Sequence, residues 1–175
     1  TVSAHISTSP PLNDGDNVLM VETGHFASLW NNMAQKLGLQ VELLKTDWRQ
    51  GLDPNEIEKR LRLDVEKKIK AVCIVHNETS TGCTANVKAV RHILDDLSHD
   101  ALLMVDTISG LASINYEHDE WGVDITISGS QKGLMLPPGL SFNAISEKAI
   151  DISKKSTLRK SYCCLLYTSP SPRDR

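Results

Sequence analysis

Two residues of this 175-residue chain have the types and placement for covalent chemistry together. Lys132 closes the segment Ile127-Ser128-Gly129-Ser130-Gln131-Lys132, which follows the mostly apolar run Val123-Asp124-Ile125-Thr126-Ile127. That spacing puts an amine in a turn of small residues just past the C-terminal end of a buried strand, where open α/β sheets bind ligands. Asp106 ends a second run, Ala101-Leu102-Leu103-Met104-Val105. A strand-end amine can condense with an aldehyde. A carboxylate on a neighbouring strand can hold a ring nitrogen protonated, so that the ring takes up electrons. Pyridoxal phosphate needs this pair, the lysine for its Schiff base and the acid for its pyridine nitrogen.

Either residue alone is unremarkable: a lysine after a strand is usually solvated, and an aspartate there often caps a loop. Their pairing carries the reading. Gly133 and Pro137-Pro138-Gly139 leave little side-chain bulk around Lys132, so a cofactor could approach the backbone. The loop from Asn77 to Gly82 offers hydroxyls and backbone donors at the tip of a third strand. Its Ser80, or Thr84 beyond it, would equally serve as a helix cap. Phe26, just after the first strand, fits stacking on a cofactor ring and core packing equally well. The six histidines form no ligand-spaced cluster. His118-Asp119-Glu120 reads as a solvated acidic turn, and no metal is expected. Neither a Gly-rich dinucleotide fingerprint nor a Walker loop occurs, which argues against a nicotinamide enzyme or a nucleotide hydrolase.

The elements that must position these residues alternate along the chain. Asn17–Val21 reads as a strand, and His25–Leu37 as a helix with Phe26, Leu29, Trp30, Met33 and Leu37 at helical spacing. Gly38 stops that helix, and Val41–Leu44 is the next strand. Asp53-Pro54-Asn55-Glu56 starts a helix that turns Ile57, Leu61 and Val65 inward. Ala71–Val75 is a continuous apolar run, as a covered parallel strand should be. A helix with Val87, Val90, Ile93, Leu94 and Leu97 on one face follows, then the Asp106 strand and the strand leading to Lys132. The expected class is α/β, a mostly parallel sheet with helices on both faces.

The chain is 40% hydrophobic and 23% charged, the profile of one ordinary α/β domain. A formal net charge of −3 gives no basic footprint for nucleic acid. No apolar stretch approaches a membrane span, and no signal pattern opens the chain, so neither membrane insertion nor secretion is expected. The four cysteines, at 73, 83, 163 and 164, match neither a redox motif nor zinc knuckles. Cys73 and Cys83 read as ordinary thiols.

Residues 1–13 show neither helical nor strand period and read as an irregular, truncated segment; residues 14–162 read as part of one cofactor-binding domain. Cys164 to Asp174 matches, over eleven residues, the conceptual translation of a transposase sequencing adapter. Residues 163–175 are therefore expected not to be native, with Cys163 standing where a tryptophan codon was completed differently.

Five segments carry a family resemblance: Val21-Glu22-Thr23-Gly24-His25-Phe26-Ala27, His76-Asn77-Glu78-Thr79-Ser80-Thr81-Gly82, Val105-Asp106-Thr107-Ile108-Ser109, Asp119-Glu120-Trp121-Gly122-Val123-Asp124 and Gly129-Ser130-Gln131-Lys132-Gly133-Leu134-Met135-Leu136-Pro137-Pro138-Gly139. Together they resemble class V pyridoxal-phosphate aminotransferases, and within them the serine–glyoxylate and alanine–glyoxylate group. The similarity runs from about Asp14 to Tyr162. It implies the large domain, in part, of a fold type I pyridoxal-phosphate transferase. Lys132 would then hold the Schiff base and move the proton, and Asp106 would pair with the pyridinium nitrogen. Thr79 would reach the ring hydroxyl, Gln131 would contact the phosphate, and Phe26 would occupy the stacking position. The implied reaction moves an amino group from serine, or a similar small amino acid, to glyoxylate, a 2-oxo acid, in a cytoplasmic or peroxisomal homodimer. Cysteine desulfurases, a sister group, carry histidine before the lysine, so Gln131 favours transamination over a pyridoxal-phosphate lyase or desulfurase. The family's Gly-rich helix start, its small domain with a substrate-clamping arginine, and the second subunit's phosphate contacts are not recognisable. The chain by itself is accordingly expected to be a non-catalytic fragment.

Overall fold

A computed structural model describes residues 12–156. Most of the irregular segment 1–13 and the whole 163–175 tail, Cys163 included, lie outside the described residues. Leu12 is part of the core and Asn13 donates its backbone N–H to Asp16.

Six strands form one sheet: β1 (Asn17–Glu22), β2 (Gln40–Lys45), β3 (Ile69–Val75), β4 (Leu102–Asp106), β5 (Ile125–Gly129) and β6 (Ser141–Ile145). Their spatial order is β2-β1-β3-β4-β5-β6. The first five run parallel, and β6 returns antiparallel along β5, with Gly129 opposite Ser141. β4 and β5 are buried at every residue, Asp106, Thr126 and Ser128 included, as strands covered on both faces must be.

Alternation along the strands divides the core between two layers. Met20, Cys73 and Met104 face α1 (His25–Lys36) and α4 (Glu147–Ser153) through Trp30, Ala34 and Ala149. Leu19, Val72 and Leu103 face α2 (Pro54–Leu63) and α3 (Val87–Asp96) through Ile57, Leu61 and Leu94. Helices thus cover both faces of a mostly parallel sheet, as the sequence implies.

Several details differ from the sequence reading. Leu29 is exposed, because α1 buries Ala27, Trp30 and Ala34 and position 29 falls off that face. Val65 is 84% exposed, because α2 ends at Leu63 and the chain turns before reaching it. Asn86 caps α3, accepting from the Ala89 N–H, so neither Thr84 nor Ser80 has that task. β6 and α4 were not anticipated.

At the N-terminal edge of the sheet, buried Asp124 accepts from the Leu103 N–H at 2.9 Å and from the Ser146 hydroxyl at 2.9 Å. Arg91 and Lys148 lie 3.6 and 3.9 Å from the same carboxylate. Nearby, Ser156 donates its hydroxyl to the carbonyl of Leu12, so the two limits of the described chain meet.

Candidate active site

The sheet delivers four strand ends to one edge. β1 runs out into Thr23-Gly24 and the first turn of α1, where Phe26 sits. β3 leads through His76 into Asn77-Glu78-Thr79-Ser80. β4 ends on Asp106, and β5 ends at Gly129 with Gln131 and Lys132 in the loop that returns to β6. Since β4 lies between β3 and β5, Asp106 has Thr79 on one side and the Lys132 loop on the other.

Asp106 is 9% exposed. One carboxylate oxygen accepts from the Ile108 N–H at 2.8 Å; the other has no partner among the described residues. Burial pushes this carboxyl up to about 6, the Ile108 hydrogen bond opposes the rise, and the nearby charge of Glu78 adds to it. Such a group is short of one cationic or N–H partner.

Lys132 is exposed, and its amine makes no hydrogen bond or ion pair with any described residue. Its loop is nonetheless well tied. Ser130 exchanges backbone hydrogen bonds with Leu140 and Leu136, and its hydroxyl donates to the Pro137 carbonyl at 2.6 Å. Gly133 abuts the 111–113 segment so closely that a Cβ there would lie 2.2 Å from the Leu111 carbonyl oxygen. Gln131 folds back over the strand end, its Oε1 3.0 Å from where a Cβ on Gly129 would stand.

Thr79 is exposed at the β3 tip. Phe26 is half-buried and belongs to neither core layer, so core packing is not its role; its ring meets that of His25 edge-on at 5.7 Å. No hydrogen bond or ion pair joins any two of Phe26, Thr79, Asp106, Gln131 and Lys132. They stand at one edge of the sheet. A free amine, a buried carboxylate with a spare oxygen, and an aromatic ring off the core suit a ligand with an electrophilic carbon and a basic ring nitrogen.

Two residues escaped the sequence reading. Glu78 is fully buried, and its carboxylate accepts from the backbone N–H groups of Phe26, Ala27 and Ser80 at 3.4, 3.0 and 3.0 Å. The signal for it was indirect: Gly24 opens α1 with no side chain able to cap it. His76, 1% exposed, gives its backbone N–H to the Asp106 carbonyl at 2.8 Å, and its ring packs on Tyr116 at 5.0 Å between centroids. Desolvation holds that imidazole below its ordinary pKa, so it is neutral at physiological pH. Among the described residues, no group of three or more His, Cys, Asp or Glu could hold a metal ion, and no helix is long and apolar enough to cross a membrane.

The class V aminotransferase family model matches residues 1–157. A serine–glyoxylate aminotransferase from Methylorubrum extorquens is 45% identical over 159 residues, covering 91% of this chain and 40% of that protein. An L-aspartate–glyoxylate aminotransferase from Paracoccus denitrificans is 41% identical over 151 residues, 86% of this chain and 38% of the relative. The crystal structure of ureidoglycine–glyoxylate aminotransferase from Bacillus subtilis superimposes with a TM-score of 0.81 at 30% identity, over 89% of this chain and 39% of that one. The chain thus spans 40% or less of the length of these relatives. With the Asp106 and Lys132 strand ends set in the same sheet, and the family model running almost the whole length, this chain belongs to the class V aminotransferases.

Proposed function

We propose that the protein to which this chain belongs transfers an amino group from serine, or a similar small amino acid, to glyoxylate, using pyridoxal phosphate. The observation that carries the reading is the pair of neighbouring strand ends: a buried carboxylate lacking one partner, and a free amine held in a tied loop. The relatives named for serine and for aspartate with glyoxylate support the acceptor more firmly than the donor.

When bound, the cofactor supplies an electron sink for the charge that develops at the α carbon of the amino acid. Lys132 provides the amine that tethers it, and afterwards takes up and returns the α proton. Asp106 would pair with the ring nitrogen and favour its protonated form, opposite charges in a poorly solvated site stabilising one another. Gln131 would hold the phosphate, Thr79 would hydrogen-bond the ring hydroxyl, and Phe26 would stack on the ring.

The test is an assay of the full-length protein with serine and glyoxylate beside a Lys132→Ala variant. Conversion of both substrates by the parent, with none in the variant, supports the assignment. Robust turnover in the variant refutes the role of Lys132. Release of ammonia from serine, or of sulfide from cysteine under reducing conditions, without a 2-oxo acid acceptor marks lyase or desulfurase chemistry instead.

A further inference from the structure

We propose that Glu78 is a positioning residue of this site: from the β3 tip its carboxylate caps α1 and thereby fixes where Phe26 stands. The inference rests on the pyridoxal-phosphate reading above for its ligand, and on geometry for its mechanism. α1 lacks a side-chain cap of its own, since Gly24 has none to offer. The orphan amides are taken instead by a loop 51 residues further along the sequence: Glu78 accepts from Ala27 at 3.0 Å and from Phe26 at 3.4 Å, while the Ser80 hydroxyl accepts from His25 at 2.9 Å. Ser80 in turn gives both its N–H and its hydroxyl to Glu78, at 3.0 and 2.8 Å. The Glu78 side chain is fully buried, so its charge is matched by these donors and by the positive end of the helix dipole.

Gly24 is the space that makes this possible. Its backbone is extended, a conformation open to any residue, but a Cβ there would fall 2.4 Å from Glu78 Cγ and 2.5 Å from Ser80 Oγ. The glycine is required by the approach of the carboxylate. A second consequence follows. With Glu78 filling the α1 N-terminus, that helix end is closed to an incoming phosphate, which must be bound elsewhere.

The experiment uses full-length protein with two independent perturbations, Glu78→Gln, which replaces an acceptor by a donor, and Gly24→Ala, which pushes the carboxylate out. Two readouts are taken: amide hydrogen exchange of Phe26 and Ala27 without cofactor, and the Kd and induced circular dichroism of added pyridoxal phosphate. We expect faster exchange at these two amides in both variants. We also expect a Kd raised roughly tenfold with altered dichroism, and a much smaller effect of the same changes in a Phe26→Ala background. Unchanged exchange in both variants, or an equal Kd effect with and without Phe26, overturns the proposal. If Glu78→Gln does not fold, Gly24→Ala and the milder Ser80→Ala decide by the same criteria. Failure of borohydride to label Lys132 in the parent protein overturns the cofactor reading instead. The two failures are separable because the exchange measurement needs no cofactor.

Discussion

Asp106 is tethered by Ile108: the N–H two residues on holds one carboxylate oxygen at 2.8 Å, and the other has no partner among the described residues. An acid with a folded-state pKa of about 6, against an ordinary 3.8, holds its proton more tightly folded than unfolded. Its stabilising contribution is therefore complete below about pH 4 and is lost as pH rises through about 6. Asp106→Asn should make the cofactor-free protein more stable at pH 8, by roughly 1–3 kcal/mol, and leave it nearly unchanged at pH 4. Thermal unfolding at the two pH values measures this. If Asp106 pairs with the cofactor as proposed, the same substitution in the full-length protein should lower transamination by orders of magnitude, because the ring nitrogen would lose its counter-charge. Near-normal turnover would remove Asp106 from the site.

Lys132 offers the opposite profile. Exposed and unpaired among the described residues, it contributes little to folding, and Lys132→Ala should shift stability by less than about 0.5 kcal/mol. Borohydride reduction in the presence of pyridoxal phosphate should label the parent and not the variant, as peptide mass mapping would read.

Gly133→Ala tests how rigidly that loop is set. A Cβ at 2.2 Å from the Leu111 carbonyl oxygen and 2.4 Å from Ser113 Oγ forces the backbone to move. A loss of about 1–3 kcal/mol is expected from such crowding. Cofactor labelling at Lys132 should weaken with it, since the loop that presents the amine shifts.

At the far edge of the sheet, Asp64 should behave as a structural clasp. Burial raises its pKa, but N–H groups from Ile69 and Lys68 and the ring of His99 outweigh that and hold it below its ordinary value. Its contribution is then present above about pH 4 and is lost as pH falls through the depressed folded pKa. Asp64→Asn should cost about 1–2 kcal/mol at pH 7, with the gap closing in acid, and should leave substrate kinetics alone. A change in KM or kcat for Asp64→Asn would contradict this assignment.

Of the two cysteines among the described residues, Cys83 should react first with a thiol reagent. Cys73 is buried in the core and its pKa is pushed up to about 12 by desolvation, so little thiolate forms. Cys83 is partly exposed, its thiol lying 3.2 Å from the Trp48 carbonyl. Mass spectrometry after brief native labelling separates the two.

Much of this architecture was legible before any coordinates. β3 from Ala71 on and β4 up to Val105 are continuous apolar runs, and β5 alternates isoleucine with small Thr126 and Ser128, because both faces are covered; such runs stand out against the charged helices. Asp106 stands out in the sequence as the polar end of an apolar run, and Lys132 as a lone amine in the turn of small residues just past β5. β6 was not, because Ser-Phe-Asn-Ala-Ile is a half-covered edge strand with no clean alternation. α4 spans only seven residues, too few to display a period. Glu78 was illegible for a different reason. Its partners are main-chain amides more than fifty positions away, and a backbone N–H carries no sequence signature.

The meeting of Ser156 with Leu12 gives the sheet a mechanical property. Positions 144 residues apart are thus pinned at one corner, so a force that parts Leu12 from Ser156 loads that corner first. The strand ends carrying Asp106 and Lys132 lie outside that load path.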